Sequence, residues 1–205
     1  MNKRTPAYLV LKSAVLFLSL LCFYPLSATN PQKKEMKELN VKKVSLANVA
    51  VENVPALLDK EKVDFQLINT VNWKAFPYQP EVQFRIAHTD DAILIHYKVK
   101  EASVRAIATG DNGAVWEDAC VEFFSIPAGD GIYYNVECNW ELALVIPYSA
   151  FFKHQITSLE GKTVRANFYK CGDKLQTPHF LSWNPINLEK PNFHCPEFFG
   201  TLNFE

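Results

Sequence analysis

From residue 81 onward the chain alternates polar and apolar positions with a period of two. In Glu81-Val82-Gln83-Phe84-Arg85-Ile86 every second residue is apolar, and Ile93, Ile95, Tyr97 and Val99 repeat the pattern one segment later. Successive side chains of a strand point to opposite faces, so each run predicts a strand with one face on a core. The short link from His88 to Ala92 predicts a hairpin between them. Further strands are expected over Val104 to Ala108, Ala119 to Ile126, Ile132 to Cys138, Trp140 to Ile146, Val164 to Tyr169 and Phe198 to Phe204. Pro127-Ala128-Gly129-Asp130-Gly131 is a strong turn signal between two of these. Helical patterns are short, one turn over Val54 to Lys60 and another over Tyr148 to His154. Eight or so strands separated by turns predict an all-β antiparallel β-sandwich or barrel, not a parallel sheet with crossover helices. No internal repeat is visible.

One stretch breaks the alternation. Cys171 to Pro196 carries Pro178, Pro185, Pro191 and Pro196 together with His179, Phe180, Trp183, Phe193 and His194. A connection of that length inside a small domain is functional or flexible, and this one is too aromatic for a disordered tail. It is expected to be an ordered, irregular loop packed over the sheets.

The first residues set the expected compartment. Lys3 and Arg4 precede an apolar run from Ala14 to Phe23, and Leu26-Ser27-Ala28 offers a small-residue cleavage site. That is the layout of a secretory signal peptide over residues 1–28. The run is short for a bilayer span of about 20 residues. Leu21 before Cys22 argues against lipidation. The chain is therefore expected to be exported, to the periplasm, the cell surface or the medium, with no membrane insertion after cleavage. Residues 29–40 are polar and lysine-rich and read as a linker, leaving one domain over 41–205. Cutting after Ala28 leaves 177 residues, with 18 basic against 22 acidic ones. A net charge of −4 gives no reason to expect nucleic acid or an anionic membrane as partner.

Four cysteines survive cleavage: Cys120, Cys138, Cys171 and Cys195. An even number permits disulfides, in three possible pairings. No C-x-x-C spacing of a zinc motif is present. Buried free thiols are the plainer alternative for Cys120 and Cys138, which lie in apolar strand patterns.

The densest chemistry lies at Trp116-Glu117-Asp118-Ala119-Cys120-Val121-Glu122, where a turn enters a strand. A sugar ring stacks its apolar face on indole, while carboxylates accept its hydroxyls. Trp116 with Glu117, Asp118 and Glu122 would supply both. A core tryptophan beside solvated strand-end carboxylates fits the same letters. Trp183, between Ser182 and Asn184, is the second candidate platform; Trp73 and Trp140 read as core. Asp90, Asp91, Asp111, Asp118 and Asp130 lie at expected turns, where oxygen ligands for a structural calcium could converge; no other cofactor is suggested. Hydrolase elbows, metalloprotease helices and nucleotide loops are absent. A glycosidase needs two carboxylates across a cleft, and Glu117 with Glu122 on one turn-strand junction is a poor arrangement for that. The five histidines are scattered.

The stretch Trp116 to Phe124 resembles family 9 carbohydrate-binding modules, closest to the family-9-like secreted proteins of Bacteroidetes-type bacteria. Phe76-Pro77-Tyr78-Gln79-Pro80, Tyr133 to Glu137, Asn167 to Cys171, Leu181 to Pro185 and Pro196 to Gly200 extend the resemblance in order to the C-terminus. It implies a jelly-roll or immunoglobulin-like sandwich that holds sugar between two tryptophans, with calcium often bound structurally. The matching positions are Trp116 and Trp183, with Glu117, Asp118 and Glu122 beside them. The expected partner is a carbohydrate, an oligosaccharide or polysaccharide end, bound without catalysis in support of extracytoplasmic glycan breakdown. The alternatives are an interaction module that has lost sugar binding, or a glycoside hydrolase. One departure stands out: relatives carry several tens of residues where two strand patterns here meet at Asn139-Trp140. A hairpin needs about two loop residues, so a trimmed sandwich is expected there, with either one merged strand or a missing site wall. Oligomeric state is not legible.

Overall fold

The computed structural model describes residues 36–45, 50–108, 113–139 and 142–205, and the backbone of 7–10. In chain order the strands are β1 (Ala7–Val10), β2 (Glu38–Lys43), β3 (Gln66–Leu67), β4 (Thr70–Val71), β5 (Glu81–His88), β6 (Ala92–Lys100), β7 (Cys120–Ile126), β8 (Tyr134–Asn139), β9 (Leu142–Pro147), β10 (Thr163–Cys171), β11 (Phe180–Ser182) and β12 (Gly200–Phe204). One α-helix, α1 (Val54–Lys60), precedes β3.

The strands form a sandwich. In the first sheet β9, β6 and β5 run antiparallel, with β3 on the free edge of β5 and β1 alongside β9. In the second, β8, β7 and β10 run antiparallel, and β12 and β11 share the far edge of β10. The expected hairpin is present, with Glu81 opposite Lys100 and His88 opposite Ile93. Two pairings depart from an all-antiparallel arrangement. β2 runs parallel to β12 through Glu38 to Val41 and then parallel to β5 through Lys42 and Lys43, closing one side of the sandwich. β1 runs parallel to β9. Glu38 to Asn40, expected in the linker, therefore belong to the sheet, and Ala7–Val10, expected in the leader, pair with Leu142 to Val145.

Alternation puts Val82, Phe84 and Ile86 of β5, Ile93, Ile95 and Tyr97 of β6, and Phe123, Val164 and Phe168 of the second sheet into one core. Phe84 stacks on Phe168 across the layers, ring centres 3.6 Å apart. The outer face of the first sheet is covered by α1. Pro55 starts that helix without losing a hydrogen bond, and Val54, Leu57 and Leu58 pack on Ala87, Leu94 and Ala143.

The outer face of the second sheet is also covered. Cys120, Phe124, Ile126, Tyr169 and Cys171 project outward and pack under Trp73, Ile186, Phe193 and Phe199. The irregular stretch after β10 is thus the expected ordered cover, and Tyr169 stacks on Phe193 at 4.2 Å. Its buried backbone finds side-chain partners. Asn167 on β10 donates to the carbonyls of Asn184 and Phe198, and its Oδ1 accepts from the N–H groups of Asn184 and Phe168.

Two expected elements are absent. Residues 104–108 form no strand, because Asp118 captures the N–H groups of Ile107 and Ala108 at 2.8 and 2.9 Å. Tyr148–Ala150 makes a single 3-10 turn instead of a longer helix. At the departure noted in the sequence, β8 ends at Asn139 in the second sheet and β9 begins at Leu142 in the first. The two strands have not merged, and the joint is a crossover between layers, which explains why no hairpin loop is needed. Trp140 lies outside the described residues.

Replacing Asn167 with alanine leaves several buried backbone groups without a partner, and we expect a loss of roughly 2–4 kcal/mol in urea denaturation. Thr163→Ala, at an exposed position of the same strand, should stay within about 0.5 kcal/mol.

Candidate functional site

At one end of the sandwich the starts of β7 and the ends of β6, β8 and β10 come together. Val115–Glu117 forms a 3-10 turn just before β7. Its carbonyls at Trp116 and Glu117 accept the N–H groups of Asp173 and Lys174, at 3.3 and 3.2 Å, so the turn is docked on the bend that follows β10. Held this way, Trp116 keeps 40% of its surface open. Among the described tryptophans it alone is exposed, since Trp73 and Trp183 are buried.

Charged groups flank it. The Glu117 carboxylate meets Lys174 at 2.6 Å and Arg105 at 3.9 Å, and Arg105 also donates to the Glu117 carbonyl at 3.0 Å. Burial and the neighbouring Glu117 raise the pKa of Asp173. An open indole beside a carboxylate and two cations offers a stacking face with hydrogen-bond donors and acceptors at its edge. Arg105, Asp173 and Lys174 were not singled out in the sequence. Arg105 sits in a stretch that reads as a strand, and Lys174 reaches the turn only through the register of β10.

The other expected contacts lie deeper. Asp118 is fully buried, its carboxylate accepting from Arg105, from the N–H groups of Ile107 and Ala108, and from Asn139. It pins residues 105–108 beside the turn and has no free face for a hydroxyl. Glu122 is also buried and accepts the Cys171 thiol proton at 2.9 Å. It faces Glu137 across the β7–β8 ladder. Burial, then repulsion by Glu137, pushes Glu122 up to about 8. Trp183, expected as a second platform, is only 3% exposed. It packs edge-on against Phe84 and Phe168, and Gly200 lies so close that a Cβ there would meet its ring at 2.6 Å. The polar letters around it are themselves buried: Ser182 accepts from Asn72, and Asn184 bonds Asn167 and Phe198.

Behind the turn Lys170 and Glu101 form a buried ion pair at 3.1 Å, and Lys170 also donates to the Cys171 carbonyl. His179 lies 3.7 Å from the same carboxylate, its pKa lowered to about 4 by burial and by Lys170. The remaining histidines are engaged apart from one another, His88 with the Glu205 carbonyl, His96 with Arg85, His154 with Tyr134 and Asp130, and His194 with Tyr133. The turn aspartates are likewise separate, Asp90 on Lys43, Asp91 on Thr89 and Asp130 on His154; Asp111 lies outside the described residues. All four described cysteines are free thiols.

The sequence pattern of carbohydrate-binding family 9 matches residues 52–139 and 136–204. The chain belongs to that family. The two matched stretches meet where β8 gives way to β9. A protein of Bacteroides uniformis assigned a carbohydrate-binding role is 52% identical, covers 83% of this chain and 100% of its own, and superposes with a TM-score of 0.81. Two structures of a family 9 module from Caldicellulosiruptor kristjanssonii, one with glucose and one with cellotriose, share the fold at TM-scores of 0.54 and 0.57 and identities of 12% and 14%. They cover 82% of this chain and 96% and 94% of their own. No curated protein matches the chain.

In this family 9 chain the buried Glu122 has a stability signature. Below its ordinary value of 4.5 it is protonated folded or unfolded. Between there and about 8 only the unfolded chain ionises it, so stability falls as pH rises, and above about 8 the folded state carries the full cost. Glu122→Gln should therefore flatten the decline from pH 5 to pH 8, by up to about 4 kcal/mol, in urea denaturation without metal.

Proposed function

We propose that the protein binds carbohydrate without transforming it, through one face of Trp116 and the charged groups at its edge. The observation that carries this is the half-open indole held by two backbone hydrogen bonds beside Glu117, Lys174 and Arg105. Family membership and the glucose and cellotriose complexes of fold relatives support a sugar as the ligand. An oligosaccharide or a polysaccharide end fits a site at the tip of a sandwich. With Trp183 in the core, stacking is one-sided, and Asp118 and Glu122 act as supports instead of contacts. The leader-like N-terminus supports an exported protein that serves extracytoplasmic glycan breakdown.

A second reading, an interaction module that has lost sugar binding, draws on the burial of Trp183, Asp118 and Glu122. Hydrolysis is disfavoured because Glu122 is buried and bonded to a thiol, so it does not face Glu117 across a cleft.

A glycan array with the folded protein should return a hit that quenches tryptophan fluorescence. Trp116→Ala should lower affinity for that hit at least about tenfold, and Glu117→Gln should weaken it less. Unchanged affinity in Trp116→Ala would remove Trp116 from the site. Silence across the array, with a protein partner recovered, would favour the interaction module.

A further inference from the structure

Two thiols and a carboxylate converge beneath the Trp116 turn. Cys120 and Cys171 stand directly opposite each other on the antiparallel strands β7 and β10. Glu122 lies two residues further along β7 and so on the same face. One donor atom from each of the three lies within 4.8 Å of the others, and all three residues are buried. Among the described residues no other three histidine, cysteine or acidic side chains come together in this way.

We propose that Cys120, Cys171 and Glu122 form a site for one thiophilic divalent cation of the zinc class. Thiolate ligands select such metals over calcium or magnesium. Around a tetrahedral zinc, sulfur and oxygen ligands lie roughly 3.5–3.8 Å from one another. The three donor atoms lie within 4.8 Å of one another, with Cys171 Sγ 2.9 Å from Glu122 Oε1, so side-chain rotation on fixed strands is enough to approach that spacing. The fourth position falls to water, or to Glu137 on the neighbouring strand once its carboxylate turns away from Asn135.

The electrostatics point the same way. Glu137 and Asp173 add acidic groups whose charge bears on Glu122. The nearby cation, Lys170, is bonded to Glu101 and the Cys171 carbonyl. The cluster therefore stays neutral only by keeping its protons. A divalent cation would replace those protons, since metal ligands bind deprotonated and release them. The proposal does not depend on sugar binding. Because the Cys171 thiol also reaches the Trp116 carbonyl at 3.5 Å, metal would sit against the turn that carries the exposed indole.

The test uses the reduced, metal-stripped protein without sugar. Cobalt(II) titration should give one equivalent bound, with a thiolate-to-cobalt charge-transfer band that zinc removes, and calorimetry in two buffers should show proton release. The band should vanish in Cys120→Ser and Cys171→Ser, and Glu122→Gln should weaken binding by more than about tenfold. Circular dichroism confirms that each variant is folded; if either serine variant fails to fold, Glu122→Gln decides. No charge-transfer band in the folded wild type, a band that survives both serine variants, or affinity unchanged in Glu122→Gln overturns the proposal. So does thiol trapping that finds Cys120 and Cys171 crosslinked in the protein as the cell makes it, because the sulfurs would then be consumed.

Discussion

Strand β10 is buried on both faces, and the rest of the molecule is arranged around that constraint. Phe168 points into the sandwich and Tyr169 points out of it, yet both are inaccessible to solvent. An antiparallel sheet commonly leaves one face to water. Here an irregular chain lies over that face, and irregular backbone cannot be buried unless each amide and carbonyl finds a partner. Those partners come from side chains: Asn167 and Asn184 for the loop as it leaves β11, the Trp73 indole for the Leu188 carbonyl, and the Tyr169 hydroxyl for Phe193. The cover is therefore a structural layer. The Trp116 turn rests at its border.

That double burial explains which parts of the fold were legible. Where apolar residues alternate with polar ones, as from Glu81 to Ile86 of β5, period two marks the strand. β7 has all seven residues buried, so its polar positions did not report solvent. Glu122 looked available for a ligand because its letter is charged, while its place under the cover makes it a buried acid. The same error applied to Trp183. Serine and asparagine beside a tryptophan suggest an open loop, but Ser182 and Asn184 are polar because they satisfy buried groups. Local sequence reports the chemistry of a side chain, not which layer closes over it.

Residues 104–108 show a related limit. Val104 and Ile107 are β-branched residues that favour a strand, and both are exposed. The N–H groups of Ile107 and Ala108 are claimed by Asp118, ten or more residues away, so a tertiary hydrogen bond overrides a weak local preference. Trp116 is legible as a candidate because the turn signal and the family-like motif coincide at one place. Its neighbours Arg105 and Lys174 arrive from two other segments, and only the folded register brings them to Glu117.

The site end is layered by charge. Outermost, Glu117, Lys174 and Arg105 form ion pairs open enough to solvent that each pair is worth little to stability. Such groups can exchange one partner for a ligand hydroxyl at small cost, which suits a binding edge. One layer in, Asp118 is saturated by four donors and holds the scaffold. Below that, Glu122 and the two thiols are buried and short of positive charge. A carboxylate held by four donors has no use for a further ligand, whereas one whose bond is to a neighbouring thiol can exchange that proton for a metal. The polar groups at this end are thus divided between a solvent-facing set of ion pairs and a buried set of two thiols and a carboxylate, with the Trp116 turn between them.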